Sequence, residues 1–240
     1  MKDENTIKKP RRVLRAILKG LSLTAAVIAV ALITWHFVWT YSGSNTWVRE
    51  FEKNGVTVYS LKTPGVALKQ FKAVTRVKTT LTRATAAMAS TDAEDCNEWA
   101  PGCTSEKAIQ PWSSDAMAYT HLFRLTFPSP FSPREFLIHA HVTQDQPTKA
   151  VLVRFEAAPD ALPRNPCCVR VETLHNWWKF TPLGNGQVEV EALMNADQGL
   201  PYPMVNHFVP FGLYSVCHDL QAFLDKPKWQ NARFDRIQEQ

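Results

Sequence analysis

Charged side chains are missing from one long stretch of this sequence. Residues 20–48 contain no Asp, Glu, Lys or Arg, and residues 21–38 are almost wholly apolar. About 20 apolar residues are enough to cross a bilayer as a helix. Seven basic residues precede the stretch within the first 19 positions, which argues against a buried core helix. We therefore predict one N-terminal transmembrane helix over residues 20–41.

The flanks of this stretch indicate its orientation. Basic residues before a span favour the cytoplasm, so residues 1–19 are predicted to be a basic cytoplasmic tail. Trp35, Trp39 and Tyr41 lie at the other end, where aromatic rings favour the lipid–water boundary. A single-pass inner-membrane protein with a periplasmic domain is expected. A cleaved signal peptide is the alternative, because residues 29–31 (AVA) have the small-x-small pattern, and the product would then be periplasmic or secreted.

Outside the tail the chain lacks net charge. The whole excess of +5 belongs to the first 19 residues, and the remaining acids and bases balance. A surface that tracks phosphates is therefore not expected, and nucleic-acid binding is excluded as a function. The sequence also lacks a Gly-rich phosphate loop, a Cys-x-x-Cys pair and a nucleophile–His–acid arrangement. No cofactor, metal site or catalytic residue is predicted, and no protein partner is indicated.

Five cysteines are present, and an oxidising compartment would allow disulfides. Cys96 and Cys103 bracket a short polar loop, so a local disulfide is predicted between them. A second bond from residues 167–168 to Cys217 is a further hypothesis. A zinc site that combines these thiols with His218 is not expected, because that compartment favours oxidation.

Alternation of apolar and polar residues predicts a run of strands through the middle of the chain. The predicted strands cover residues 56–61, 68–77, 116–127, 136–142, 151–157, 169–180 and 188–195, with a brief strand at 109–112. Residues 79–90 are predicted to be a short helix, 47–53 one or two helical turns, and 92–103 a loop or a helical turn around Trp99. Strands joined by hairpins, with the helices segregated, indicate an α+β fold.

The chain ends on a long amphipathic pattern. Asp197, Gly199 and Pro201 stop the last strand, and apolar residues then recur three or four apart from Val205 to Leu224. That spacing predicts a helix that covers one side of the sheet. Proline inside a helix removes a backbone donor, so Pro210 is expected to kink the first turns, unless the helix begins after it.

Five short motifs, in this order and with these elements between them, resemble the START family of steroidogenic acute regulatory-related lipid-transfer domains. They are residues 54–59 (NGVTVY), 133–136 (PREF), 168–172 (CVRVE), 178–182 (WKFTP) and 196–201 (ADQGLP) followed by 205–206 (VN). The resemblance is to a membrane-anchored member of bacterial type, with a START domain over residues 47–226 and a C-terminal tail over 227–240.

The resemblance implies a helix-grip fold, in which a curved antiparallel sheet wraps around the long C-terminal helix. It also implies that a tunnel between them holds one lipid or other hydrophobic ligand, for transfer or sensing at the membrane, without enzymatic chemistry. A polyketide cyclase or aromatase-like enzyme with the same tunnel is one alternative. A membrane docking module without a ligand is the other.

Residues on the inward faces of the predicted sheet and helix are the candidates for contact with the ligand. They are Met117, Tyr119, His121, Phe136, Ile138, Ala140, Val205, Phe208, Val209, Leu213 and Val216. In sterol-carrying relatives, His121 and Ala140 would be a buried acid and a buried arginine. The chain cannot form that pair, so a sterol is not expected. His121 can instead donate one hydrogen bond to a head group or bond within the core.

Overall fold

The computed structural model describes residues 8–90 and 96–239 and confirms the α+β fold. The first seven residues of the predicted tail, residues 91–95 and residue 240 lie outside the described residues. The helices are α1 Lys8–Tyr41, α2 Leu81–Met88, α3 Cys96–Trp99, α4 Tyr202–Leu224 and α5 Pro227–Gln230. The strands are β1 Trp47–Lys53, β2 Val56–Leu61, β3 Gln70–Lys78, β4 Cys103–Ser113, β5 Ala118–Leu125, β6 Arg134–Gln144, β7 Val151–Ala157, β8 Val169–Arg170, β9 Thr173–Gly184, β10 Gln187–Met194 and β11 Ala196–Asp197.

The predicted N-terminal apolar helix is confirmed as α1, which begins before the predicted span. Val13–Tyr41 is long and apolar enough to cross a membrane, and its most apolar 18-residue stretch has a mean hydropathy of 2.2. Its most apolar part is not buried against the rest of the protein. A transmembrane span and a signal sequence share these properties, so orientation and cleavage stay predictions.

One curved sheet forms the body of the domain, in the order β1-β2-β3-β10-β9-β7-β6-β5-β4 with antiparallel neighbours throughout. The two-residue strand β11 pairs with β9, and β8 pairs in parallel with β6. In β2 and β3 alternate side chains are buried, because only one face of each strand meets the core. This face is the inner face of the sheet, and α4 packs on it against β2, β3 and β10.

One predicted element was wrong, and one predicted strand was too short. Residues 47–53 form β1 and not helical turns, because they pair with β2 through a hairpin whose Asn54 and Gly55 both have positive φ (48° and 77°). The brief strand predicted at 109–112 is the end of an 11-residue strand, β4. Its register against β5 shifts three times, so its buried residues do not alternate and the pattern cannot be read from sequence.

The predicted final helix is confirmed as α4. It begins at Tyr202 and continues through Pro210, which is buried, so the alternative start after Pro210 is wrong. Val205, Leu213, Leu220 and Leu224 are buried on its sheet-facing side. The chain reaches α4 through residues 198–201, in which Gly199 has a φ of +62° that favours glycine.

The residues after α4 pack back onto the domain. Trp229 is buried with its ring centroid 5.6 Å from that of Phe223, and the ring of Phe234 lies 4.3 Å from that of Trp112. The carboxylate of Glu239 accepts hydrogen bonds from the Leu81 and Thr82 amides at the start of α2. The segment predicted as a C-terminal tail therefore covers one end of the domain.

The disulfide predicted between Cys96 and Cys103 is confirmed, and it ties α3 to the start of β4. The hypothesis of a bond to Cys217 is wrong, because Cys167 and Cys168 are bonded to each other. Cys217 is a free thiol on the buried side of α4, and burial raises its pKa to about 12. Two disulfides are typical of an oxidising compartment.

Candidate functional site

The inner face of the sheet carries two clusters of buried apolar residues. One lies under α4 and includes Phe71, Phe180 and Leu213. The other lies at the end of the sheet formed by β5 and β6 and includes Phe123 and Phe136, whose rings stack with centroids 4.6 Å apart. Phe155 on β7 packs against both clusters and is only half-buried.

Several inward-facing apolar side chains are half-buried, although they pack against the larger cluster. They are Met117, Phe155, Met194, Val209 and Val216. A side chain in a close-packed interior loses nearly all of its accessible surface. These five side chains therefore keep accessible surface, unlike Phe71 and Phe180 of the same cluster, which are fully buried.

The structure brings together the predicted ligand-contact residues of the sheet. Tyr119 and His121 on β5 lie beside Ala140 and Ile138 on β6, and all four are buried on the inner face with Phe136. Met117 precedes β5, is half-buried and has a φ of +51°.

The predicted helix residues divide into two groups. Val205 and Leu213 are buried, and Val209 and Val216 are half-buried, all toward the sheet. Phe208 is 61% exposed and lies on the outer face of α4, so its predicted position is wrong. Phe208 is adjacent to Val209 in sequence, and successive side chains of a helix point about 100° apart. The two residues therefore cannot both face the sheet directly.

A buried polar pair lies on the inner face where the aromatic rings meet. His121 Nδ1 is 2.5 Å from Glu106 Oε1, and the two side chains are 3% and 0% exposed. With its Nδ1–H donating to the carboxylate, the ring leaves Nε2 for another partner. Nε2 is buried and has no hydrogen-bond partner among the described residues. Such an atom costs about 1–3 kcal/mol unless a ligand or water satisfies it.

Aromatic rings enclose this pair. The ring centroids of Tyr119, Phe123, Trp99 and Phe155 lie 5.3, 5.7, 6.2 and 6.5 Å from that of His121. Burial, and then the charge of Glu106, raise the pKa of Tyr119 far above its usual range, so its hydroxyl stays neutral. That hydroxyl donates to the Met88 carbonyl at 3.4 Å. The site thus presents one imidazole nitrogen in apolar surroundings.

The sequence pattern did not identify Glu106, Trp99 and Phe155 as members of this site. Glu106 lies in the irregular part of β4, where no alternation marks an inward face. Trp99 reaches the site because the Cys96–Cys103 bond holds α3 against β4. Phe155 lies within a predicted strand. Since alternate residues of a strand share a face, the inward-facing Val151 and Val153 could have identified Phe155 as inward-facing too.

Another missed residue, Arg134, holds the segment that leads into α4. Its guanidinium is buried and donates to the Gln198 carbonyl at 2.8 Å and to the Gly199 carbonyl at 2.9 Å. Burial lowers its pKa from the ordinary arginine value. Hydrogen bonds from a charged group contribute more than neutral ones, so Arg134 fixes the entry to the helix.

Replacing Arg134 by Ala is expected to loosen residues 198–201. A charge-assisted hydrogen bond contributes about 1.5–3 kcal/mol, so amide exchange there should speed up by about 10- to 100-fold. Hydrogen–deuterium exchange with mass spectrometry measures this, and the β9–β10 hairpin at residues 184–187 serves as an internal control. Unchanged exchange at 198–201 would show that other contacts fix the segment.

On the outer face, Glu135 bridges two arginines. It accepts from Arg124 at 2.9 Å and from Arg170 at 2.6 Å, and the Glu135 and Arg170 side chains are 3% and 2% exposed. Arg170 also donates to the Leu162 and Pro163 carbonyls, which holds the loop after β7. The ion pair therefore joins β6, β8 and that loop.

The family model of the START domain matches residues 39–230. The chain belongs to the START family. START domains bind lipids and other hydrophobic ligands, mostly without enzymatic activity.

Solved structures share the START fold. The STAR-related lipid transfer protein from Xanthomonas axonopodis is similar with a TM-score of 0.66 and 23% identity, over 75% of this chain and 99% of that chain. The lipid transfer and protein localization domain of human StarD13 gives a TM-score of 0.64 and 13% identity, over 77% of this chain and 91% of that one. An uncharacterized Pseudomonas aeruginosa protein, PA1579, is 27% identical over 216 residues, which cover 89% of this chain and all of that protein.

Two of the START motifs now have structural roles. The PREF motif supplies Arg134 and Glu135, and the CVRVE motif supplies Arg170. None of these three side chains belongs to the inner-face site. The polar pair of that site is instead Glu106–His121, contributed by β4 and β5.

Proposed function

We propose that this START protein binds one lipid between the inner face of the sheet and α4. It would transfer or sense that lipid at the membrane in which α1 anchors it. The observation that carries the proposal is the buried Nε2 atom of His121. It lies among apolar side chains and has no hydrogen-bond partner among the described residues. A lipid head group would supply the missing hydrogen bond. The half-buried inward side chains would contact its tails.

Burial of the tails would provide most of the affinity. Each methylene removed from water contributes about 0.8 kcal/mol, so a few methylenes against Phe155, Met194 and Val209 give several kcal/mol. One hydrogen bond adds only about 1 kcal/mol but fixes which end of the lipid lies near β5. Affinity and orientation would thus come from different parts of the site.

The Glu106–His121 pair also favours a second candidate function. A carboxylate that orients an imidazole through Nδ1 is the arrangement that activates Nε2 as a general base. A cyclase-like enzyme would use this pair to move a proton on the bound ligand. A docking module without a ligand would leave the inner face empty of lipid.

Photo-crosslinking of the full-length protein in liposomes separates these functions. A phospholipid with a diazirine at the end of one tail is included in trace amount, and labelled peptides are mapped after irradiation. Lipid binding predicts adducts on β6 or the inward side of α4, in addition to α1, which faces lipid in any case. Adducts confined to α1 would support docking alone. A chemically altered lipid would support catalysis.

Removing the polar pair tests the role assigned to His121. The double variant Glu106→Met/His121→Phe replaces both partners by apolar groups, which limits the cost to folding. Loss of about 1 kcal/mol should lower the inner-face adducts about fivefold. His141→Phe, on the exposed face of β6, is the control and should change nothing. Equal labelling of both variants would place the head group elsewhere.

A further inference from the structure

The end of α1 is bonded to the START domain. The indole Nε1 of Trp39 donates to the Ala67 carbonyl at 2.8 Å. The Trp39 ring stacks on Tyr202, the first residue of α4, with centroids 6.1 Å apart and planes at 7°. His36, one turn earlier, places its ring 5.7 Å from Tyr202. The start of α4 therefore lies beside the last turns of α1.

The connection between β2 and β3 caps α1. Lys62 is 9% exposed, and its ammonium donates to the Thr40 carbonyl at 3.0 Å and the Ser42 carbonyl at 3.1 Å. A cation at a helix C-terminus is favourable, because the last carbonyls lack partners within the helix. The Gly65 amide donates to the same Thr40 carbonyl at 2.8 Å.

Asn206 joins this connection to α4. Its Nδ2 donates to the Ala67 carbonyl at 3.1 Å, and its Oδ1 accepts from the Lys69 amide at 2.8 Å. The Ala67 carbonyl thus binds both α1, through Trp39, and α4, through Asn206. We name Trp39, Lys62, Ala67, Tyr202 and Asn206 the anchor junction.

An uncharged surface lies beside the anchor junction. Residues 64–66 (PGV) and 200–203 (LPYP) carry no charged side chain. Val66 is 48% exposed, and Pro64, Pro201 and Pro203 are also exposed. This surface is continuous with the aromatic end of α1 through the contact of Tyr202 with Trp39.

The position of Tyr202 indicates what covers this surface. Aromatic residues at the end of a spanning helix lie at the lipid–water boundary, and Tyr202 is level with His36 and Trp39. At about 1.5 Å per residue, the 34 residues of α1 extend about 51 Å, which exceeds the roughly 30 Å of hydrocarbon. The end of α1 can therefore reach into the head-group layer without exposing its apolar centre.

The geometry points to a membrane-contact surface formed by residues 64–66 and 200–203, which seats the START domain on the bilayer that holds α1. The anchor junction would fix the domain against that bilayer rather than leave it on a flexible tether. The entry to α4 would then lie among the head groups, so the ligand would enter from the same bilayer. This inference rests on the proposed membrane anchoring by α1.

Fluorescence quenching in liposomes tests the surface. Val66→Cys is labelled with an environment-sensitive fluorophore in the full-length protein, and lipids carrying a nitroxide near the head group are the quenchers. Cys217 should not compete for the label, because it is buried and its pKa is raised to about 12. The other four cysteines are in disulfides.

Leu183→Cys is the matched control. Leu183 is 43% exposed, close to the value for Val66, and lies near the β9–β10 hairpin. That hairpin is at the Lys78 end of β3, about 26 Å from the Gln70 end that adjoins the anchor junction. Quenching at position 66 is expected to exceed that at position 183 about threefold or more, since an apolar contact reaches about 5–10 Å into the interface.

Equal quenching at the two positions would overturn the membrane-contact surface, and so would a mature chain whose intact mass lacks α1. The double variant Trp39→Ala/Asn206→Ala tests the anchor junction. If quenching at position 66 stays strong in this variant and the mobility of the label is unchanged, the anchor junction does not fix the domain. The photo-crosslinking result is independent of these outcomes. Quenching at 66 without inner-face adducts would retain the surface and reject lipid binding.

Discussion

Replacing Val209 by Trp is expected to remove lipid from the inner face. Val209 is half-buried on the sheet-facing side of α4, so an indole there would occupy the space proposed for the lipid tail. Displacing about three methylenes costs about 2.4 kcal/mol, which lowers occupancy about 50-fold. The diazirine phospholipid measures this as loss of adducts on β6, while labelling of α1 persists.

Phe208→Trp is the control for this substitution. Phe208 is the neighbouring residue and is 61% exposed on the outer face of α4, so the same indole there stays outside the interior. Near-UV circular dichroism should show that both variants retain tertiary packing. If Val209→Trp and Phe208→Trp are labelled on β6 like the wild type, no lipid lies under α4.

Replacing Glu135 by Ala is expected to cause the largest loss of stability. It leaves Arg170, 2% exposed at its side chain, without its carboxylate. Removing one partner of a buried ion pair typically costs about 3–5 kcal/mol of unfolding free energy, because the remaining charge is uncompensated. Denaturant unfolding of the full chain in detergent, followed by tryptophan fluorescence, measures the change.

The matched control is Glu172→Ala. Glu172 pairs with Arg164 at 2.5 Å, but the two side chains are 50% and 61% exposed. Exposed ion pairs contribute about 0–1 kcal/mol, since water solvates both groups. Similar losses for Glu135→Ala and Glu172→Ala would contradict a special role for the buried pair.

The contribution of Glu135 to stability should also depend on pH. Burial by itself raises the pKa of Glu135, but hydrogen bonds from Arg170 and Arg124 outweigh it, and the pKa lies below its ordinary value. A carboxyl whose pKa is lowered by folding stabilises the protein above its unfolded pKa of about 4.3. The difference in unfolding free energy between wild type and Glu135→Gln should be constant near neutral pH and shrink as pH falls through the lowered pKa.

Much of the fold could be predicted from the sequence because it depends on local periodicity and on order along the chain. Alternation identified β2, β3 and β10, and a three-to-four spacing identified α4. The charge-free stretch identified α1, and the short loop between Cys96 and Cys103 indicated their disulfide. Motifs in the right order identified the family, and two of them supply the side chains of buried contacts, Arg134 and Glu135 in one and Arg170 in the other.

The candidate site was only half predicted. The sheet residues from Tyr119 to Ala140 were placed on the inner face, because β5 and β6 alternate regularly. Glu106 was not, because three register shifts in β4 break the alternation. Phe208 was misplaced, because apolar character alone does not distinguish the covered face of a helix from a neighbouring exposed position.

The sequence by itself determined the elements, their order, the family and the apolar anchor, because these depend on residues close together in the chain. Only the tertiary structure decided that β1 is a strand, that His121 bonds to Glu106, and that Trp39 stacks on Tyr202. The β1 strand is almost wholly exposed, so no buried alternation marks it, and the other two contacts depend on an irregular strand or on a partner distant in sequence. Local patterns record which face of an element is apolar, but not which distant residue covers it.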